Sequence, residues 1–447
     1  MSYVLFTPVG GHDPIASYRD GAVLHICRVY RPEKVYLYLS HEMLERSRQD
    51  DRYRVSLQKL QEYLHYEIKE VKMIERDELT QVQLFDTFYT DFDQILRQIH
   101  AENPDSELLV NLSSGTPAMK SALNVISVLT PYAMRAMQVS TPNMRENPKD
   151  EAPQDYDVES SWECNEDNTE DFYNRCHEVP NDHLLVKIKK ESIQRLLDAY
   201  NYKAAMLMAQ DISEFISERA MKMLQAAECR LQLDQRGYDK ALQGLECQFM
   251  PIKSGEHRQI FEYVLSLQIK LEQGNYADFL RGLTPVAADV FEICLKNQLH
   301  ITSDQYCERK QKGGWKVSKC VMQETTVGQK IYTAIKRGAE RSKKQFEERE
   351  LNTQIMLWIF WDLSSDQSLI DDLKKMRDVE SKVRNVAAHE IVSVTNDWIK
   401  NRTEMTGEDI MKLLKRLVAR AGIRAKAEYW NSYNDMNFAI SAELLQK

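Results

Sequence analysis

The chain has 447 residues, which suits two or three domains rather than one core, and its 43% apolar and 28% charged residues suit a soluble globular protein. No apolar run approaches the roughly 18 residues that a membrane span needs, so none is expected. The net charge of −9 argues against a broad nucleic-acid surface, but residues 275–447 hold 28 Lys+Arg against 24 Asp+Glu while the remainder hold 31 against 44, which predicts a local basic patch in the C-terminal part.

Eight cysteines lie scattered with no C-x-x-C pair, as suits a reducing cytoplasm, where the protein is expected. Cys164 with Cys176 and His177 is the nearest approach to a metal-ligand set, and no metal is expected. The opening Met1-Ser2-Tyr3-Val4-Leu5-Phe6 turns polar at once, which reads as a first strand and not as a signal peptide.

Over the first 142 residues strand and helix patterns alternate. Strands are predicted at 3–6, 34–39, 68–74, 107–112 and 135–140, with helices at 16–30, 41–66, 87–101 and 117–129. This order implies an α/β, Rossmann-like domain, mostly parallel, with helices on both faces and a ligand beyond the carboxyl ends of the strands.

Two of those ends are chemically distinctive. After the first strand comes Thr7-Pro8-Val9-Gly10-Gly11-His12-Asp13-Pro14, where prolines fix the chain and paired glycines admit close backbone approach. Val9, Gly10, Gly11 and His12 are the candidates there. Between a later strand and helix lies Asn111-Leu112-Ser113-Ser114-Gly115-Thr116-Pro117, with Thr116 as N-cap and Pro117 at the first helical position. Unsatisfied N–H groups at such a helix start suit an anion or phosphate, which makes Asn111, Ser113, Ser114, Gly115 and Thr116 candidates. Neither loop is a Walker A or a G-x-G-x-x-G fingerprint, and either also fits an ordinary connection.

Residues 143–182 carry 13 acidic side chains against Arg145, Lys149 and Arg175, with few aliphatics, and read as an insertion or linker ending the first domain. Residues 183–274 are helical throughout, without a sustained repeat, and read as a connector. From 275 a second all-α unit follows: an amphipathic helix at 279–299 interrupted by Pro285, a basic stretch at 302–345, and a helix at 409–421. On that last helix Lys412, Lys415, Arg416 and Arg420 oppose an apolar stripe, as an RNA groove or a solvated face.

Between them no Gly or Pro interrupts 373–394, and Val379, Val383, Val386 and Ile391 recur at helical spacing. This helix carries Arg384, Asn385 and His389, the last two sharing a face at i,i+4. A guanidinium suits a phosphate and an imidazole titrates near neutrality, so together they could cleave RNA without metal. The spacing alone equally fits a solvated Arg and a partly buried His.

The Arg-Asn pair with small residues before the His resembles the R-[N/H/K]-x3-H signature of HEPN-superfamily ribonucleases. The strand-one loop together with the late N-x-[ST]-[ST]-G-T loop is similar to the CARF domains of CRISPR systems. A CARF domain joined by helices to a HEPN domain resembles the ancillary ribonucleases of type III-A CRISPR loci, the Csm6 family, over nearly the whole chain. The domains are then a CARF-like unit at 1–182 including the acidic segment, a connector at 183–274 and a HEPN domain at 275–447.

The resemblance implies a homodimeric endoribonuclease of antiviral defence, activated by a cyclic oligoadenylate at the CARF loops. It implies cleavage of single-stranded RNA without metal to 2′,3′-cyclic phosphate ends. Arg384 would hold the phosphate, Asn385 orient it, and His389 transfer protons or position the 2′-hydroxyl. No stable association with the CRISPR effector complex is expected. Cyclic hexa-adenylate is favoured over cyclic tetra-adenylate, although no residue decides between them, and Thr116 could assist slow degradation of the activator. Two other readings stand beside this one: a non-catalytic nucleotide-sensing module, and a ribonuclease toxin controlled by a partner protein.

Overall fold

The computed structural model describes residues 2–130, 132–141, 156–180, 182–253, 255–311, 313–389 and 393–446, with the side chains at 182–183 and 384–389 outside the description. The chain divides into two compact units, Met1–Ile188 and Lys189–Lys447.

The first unit runs β1 (Ser2–Pro8), β2 (Ile15–Ala16), β3 (Arg19–Asp20), α1 (Ala22–Tyr30), β4 (Lys34–Ser40), α2 (His41–Asp50), α3 (Arg52–Leu64), β5 (Glu70–Arg76), α4 (Phe85–Glu102), β6 (Ser106–Asn111), α5 (Pro117–Leu129), β7 (Met134–Val139), α6 (Val158–Glu163) and β8 (Cys176–Glu178). The main sheet is ordered β5-β4-β1-β6-β7-β8. Its pairs are parallel except β7–β8.

Alternation along the strands separates two buried layers. Leu5, Val35, Leu37, Leu39 and Leu109 face a core shared with α1, α2 and α3. Phe6, Tyr36, Tyr38, Leu108 and Val110 face one built on Phe88, Phe92 and Leu123 of α4 and α5. The chain moves from β1 outward through β4 to β5, then crosses to β6 on the other side of β1. The order reverses between β1 and β6, where α/β sheets open a crevice beyond their carboxyl ends.

The helix predicted at 117–129 forms as Pro117–Leu129 with Thr116 as its N-cap. Three predicted features differ. Residues 15–20 form a β2–β3 hairpin, not the start of a helix. Ser17 and Tyr18 turn it at φ 50° and 58°. The helix predicted at 41–66 breaks at Asp51, φ 50°, where the Asp50 carboxylate takes both the backbone N–H and the guanidinium of Arg52 and competes with the helix.

The acidic segment is the third difference. Its described part, 156–180, is no linker, because α6 and the sixth strand β8 come from it. β8 pairs with β7, and buried polar pairing rather than apolar periodicity holds the stretch before it to Asp20 and α1. The rest of that segment, 142–155, lies outside the described residues.

Helix α7 (Asp182–Asp198) contains the boundary between the units. The second unit continues with α8 (Tyr202–Gln210), α9 (Glu218–Leu231), α10 (Gln235–Ala241), α11 (Glu256–Glu272), α12 (Tyr276–Leu299), the hairpin β9 (Cys307–Arg309) and β10 (Trp315–Val317), α13 (Lys319–Gln323), α14 (Thr326–Arg341), α15 (Thr353–Leu363), α16 (Gln367–His389), α17 (Asn396–Thr403), α18 (Gly407–Arg420) and α19 (Ser432–Leu445). Pro285 lies inside α12 without ending it.

The division expected at 274/275 falls within this unit, in which α19 returns to pack on α9. Arg230 of α9 is fully buried, forks onto Glu262 of α11 and donates to the Ser432 carbonyl and hydroxyl. No helix among the described residues is long and apolar enough to cross a membrane.

Candidate functional site

A cavity of about 400 Å³ opens beyond β1 and β6, at the reversal of strand order. Gly10, Gly11 and His12 line it from the first loop, and Ser113, Ser114 and Gly115 from the second. The loops touch: a Cβ on Gly10 would sit 2.8 Å from the Gly115 nitrogen, and Gly115 itself has φ +85°. Glycine is needed at both positions for different reasons, close approach at Gly10 and a left-handed backbone at Gly115.

The other candidates shape the cavity without lining it. Val9 is buried, and its N–H donates to the Tyr38 carbonyl at 3.0 Å. Asn111 is buried, donates to Thr7 Oγ1 at 2.9 Å and accepts from the Ser113 N–H at 2.8 Å, so it fixes the loop from beneath. The Thr116 hydroxyl donates to the Val82 carbonyl at 2.7 Å and accepts from the Met119 N–H at 3.4 Å, and is thus committed to the cap.

Several lining residues escaped the sequence reading. Asp13 is buried and accepts from the N–H groups of Gly10 at 2.9 Å and Val23 at 3.1 Å, tying the first loop to the start of α1. Burial pushes its carboxyl above the usual range, against hydrogen bonds from Ser114 and those two amides. Lys120, one turn into α5, is half-buried, and desolvation pushes its ammonium below the ordinary lysine value. It makes no ion pair among the described residues, so it brings positive charge to a cavity walled by glycines and serines. Its place four residues after a Thr-Pro cap is the signal that could have found it.

Arg175 also lines the cavity, from the segment read as a linker. It belongs to a buried network with Asp20, His25, Arg28 and Asp167. Arg28 forks onto Asp20 at 2.6 and 3.0 Å, and Arg175 donates to Asp167 at 3.0 Å. Burial works to raise the Asp20 carboxyl, but hydrogen bonds from His25 and Arg28 outweigh it and bring it down to about 2. Asp20, His25 and Asp167 offer ligand atoms within 4.8 Å of one another. Guanidinium groups already engage both carboxylates, so a cation would have to displace them.

In the second unit, α16 carries positions 384, 385 and 389 in its final turns, and the side chains of Arg384, Asn385 and His389 lie outside the described residues. Upstream, Leu369, Leu373, Met376, Val379 and Val383 are buried, and the helix packs on α12, α15, α17 and α18. The α18 cations are not a free groove. Arg416 and Arg420 reach Asp372 and Asp366 at 3.0 and 2.8 Å, and Lys415 lies 4.6 Å from the Trp430 ring centroid. They stitch α18 to neighbouring elements of the same unit.

A doubly wound unit with a polar cavity at its switch point, followed by a helical unit bearing R-x4-H, has the layout of the CARF-plus-HEPN class. The chain belongs to the Csm6 family. It matches the family models for the Csm6 CARF domain over residues 70–176, the Csm6 6H domain over 179–231 and the Csm6 HEPN domain over 249–441. It is 30% identical over 415 residues, 92% of this chain and 94% of the relative, to the CRISPR system endoribonuclease Csm6 of Mycobacterium tuberculosis. It is 26% identical to Csm6′ of Streptococcus thermophilus over 69% of this chain and 76% of that one. Among solved structures it is similar to Enterococcus italicus Csm6 bound to cyclic hexa-2′-fluoro-hexa-dAMP, with a TM-score of 0.75 and 19% identity over 99% of this chain and 100% of that chain, a likeness of fold.

Proposed function

We propose that the chain is an endoribonuclease switched on by a cyclic oligoadenylate, acting as a free homodimer in the cytoplasm during type III CRISPR defence. The observation that carries this reading is the cavity joining the Gly10–His12 and Ser113–Gly115 loops. It offers glycines that admit close backbone approach, small hydroxyl side chains and the Lys120 ammonium beside the start of α5, chemistry that suits a phosphodiester. At about 400 Å³ it is at the small end of ligand sites, which span about 300–1,000 Å³. One protomer then holds part of a ring, and a two-fold axis would supply the rest. Cyclic hexa-adenylate is the preferred activator, because the Enterococcus italicus relative binds a hexameric analogue.

In the helical unit, Arg384 holds the scissile phosphate, Asn385 orients it and His389 moves the proton. The 2′-oxygen attacks phosphorus and loses its proton, the 5′-oxygen leaves and gains one, and a 2′,3′-cyclic phosphate remains. No metal is required by this step. One His per chain serves one end of the transfer, so a second motif across the dimer completes it. Exposed Lys330 and Lys336 of α14 provide charge for the RNA backbone.

The reading extends to slow opening of the ring by the CARF unit. The Thr116 hydroxyl would have to leave the Val82 carbonyl to orient an attacking 2′-hydroxyl.

The test is labelled single-stranded RNA in EDTA with and without each ring, using wild type, Arg384→Ala and His389→Ala. Ring-dependent cleavage lost in both variants is the expected result. Cleavage without any ring would indicate a toxin under other control. Its complete absence in wild type would leave only a sensing module.

A further inference from the structure

We infer that Arg175 is a positioning residue of the cavity: anchored by the 165–175 segment, it clamps Ser140 and Asp20 together at the cavity wall, so that the acidic stretch is a working part of ligand capture. This rests on the ring-binding reading above and deepens it.

The geometry is that of a clamp across three elements. Arg175 Nη1 donates to the Ser140 carbonyl just past β7 at 3.0 Å, and Nη2 donates to the Asp20 carbonyl at the end of β3 at 2.8 Å. The Ser140 N–H donates back to the Arg175 carbonyl at 2.9 Å, and the Arg175 N–H donates to His25 Nε2 of α1 at 3.0 Å. Ser140, Asp20 and Arg175 all line the cavity, so the residues joined by the clamp are the ones a ligand would meet there.

The clamp is itself held in place. Asp167 receives Arg175 Nη2 at 3.0 Å, Arg19 at 2.9 Å and the Asp20 N–H at 2.9 Å, and its side chain is wholly buried. Asn165 donates to Asp20 at 2.7 Å and accepts from the Asp167 N–H at 3.0 Å. Few apolar side chains of this segment reach the cores. The wall is therefore ordered by directional charged hydrogen bonds, which keep their geometry only while the partners are present. A planar fork can serve two carbonyls and a carboxylate at once, whereas a lysine ammonium in that place reaches one or two.

A wall that positions ligand has a different signature from one that only stabilises the fold. The measurement is RNA cleavage against concentration of cyclic hexa-adenylate and cyclic tetra-adenylate, with direct binding of fluorescent cyclic hexa-adenylate, for wild type, Arg175→Lys, Arg175→Met and the isosteric Asp167→Asn. The expected result is a rise in half-activating ring concentration of roughly tenfold or more for Arg175→Met, about one charge-assisted hydrogen bond. Arg175→Lys and Asp167→Asn should be intermediate, with the rate at saturating ring retained. An unchanged half-activating concentration in the folded variants, or a loss confined to the saturated rate, overturns the inference while the ring reading survives. If Arg175→Met does not fold, Asp167→Asn decides by the same criterion. Wild type that binds neither ring removes the functional reading and this one with it.

Discussion

Replacing Arg230 by Met removes the charged centre of the second unit. The side chains of Arg230 and Glu262 are 0% and 5% exposed, joined at 2.8 and 3.1 Å. Arg230 also donates to the Ser432 hydroxyl at 2.8 Å and lies 4.0 Å from the Tyr433 ring centroid. Methionine fills much of the volume, so the dominant loss is electrostatic: Glu262 is left buried without its cation. Breaking such a pair from one side costs about 3–5 kcal/mol, against a stability of about 5–15 kcal/mol for typical proteins. At about 2–4 °C per kcal/mol for a unit of this size, the midpoint should fall by roughly 10 °C. Arg230→Met/Glu262→Leu removes both charges and should recover most of that loss, since an apolar pair of similar volume is often neutral. The assay is thermal and urea unfolding followed by circular dichroism for both singles and the double. A single substitution costing under about 1 kcal/mol, or a double equal to the sum of the singles, would refute the account, because either means Glu262 does not depend on Arg230.

Three further outcomes follow from the same chemistry. Asp20 has a folded-state value of about 2 against 3.8, so its contribution of about 2 kcal/mol is present above pH 4 and lost as pH falls towards 2. Asp13 is raised and acts in the opposite sense, losing stability as pH rises above the ordinary carboxyl value of 3.8, so acid unfolding below that value, compared between wild type and Asp20→Asn, isolates Asp20. Gly10→Ala puts a methyl 2.8 Å from the Gly115 nitrogen, and Gly21→Ala puts one 2.5 Å from the His12 carbonyl. Neither backbone can yield cheaply, so each should lower affinity for a fluorescent ring by more than tenfold, and an unchanged affinity contradicts the cavity as the binding site. Arg416→Ala should cost under about 1 kcal/mol, as its partly exposed pair with Asp372 allows, and leave RNA affinity unchanged. A drop in RNA affinity would restore α18 as a groove.

The parallel sheet was legible because its central strands are short apolar runs, with alternating helices marked by a Thr-Pro start at residues 116–117 and an apolar face on 87–101. The two cavity loops were legible for a related reason: glycines and a Thr-Pro cap mark where backbone must bend at the ends of strands. Periodicity could not reveal β8 and the wall before it. Residues 156–180 add β8 to β7 by backbone pairing, while Asn165, Asp167, Asn168 and Arg175 tie the preceding stretch to Asp20, His25 and Arg28, separated from them by 140 to 150 positions. A polar side chain with a distant buried partner reads in sequence like a solvated one.

The same ambiguity works in reverse on α18. Lys412, Lys415, Arg416 and Arg420 form a basic helix face, yet Arg416 and Arg420 are taken by carboxylates on or beside α16. A surplus of cations in a segment therefore does not locate a nucleic-acid surface until the internal pairs are removed. In the first unit the arithmetic runs the other way. The segment richest in carboxylates supplies Arg175 to the cavity wall, and its acidic Asp167 holds that guanidinium in place. Net charge sets the long-range field, but short-range pairing decides which charges a phosphate can reach. By that criterion Lys120, half-buried at a helix start and unpaired among the described residues, is the cation that a phosphate entering the cavity would meet, whatever the overall balance of −9.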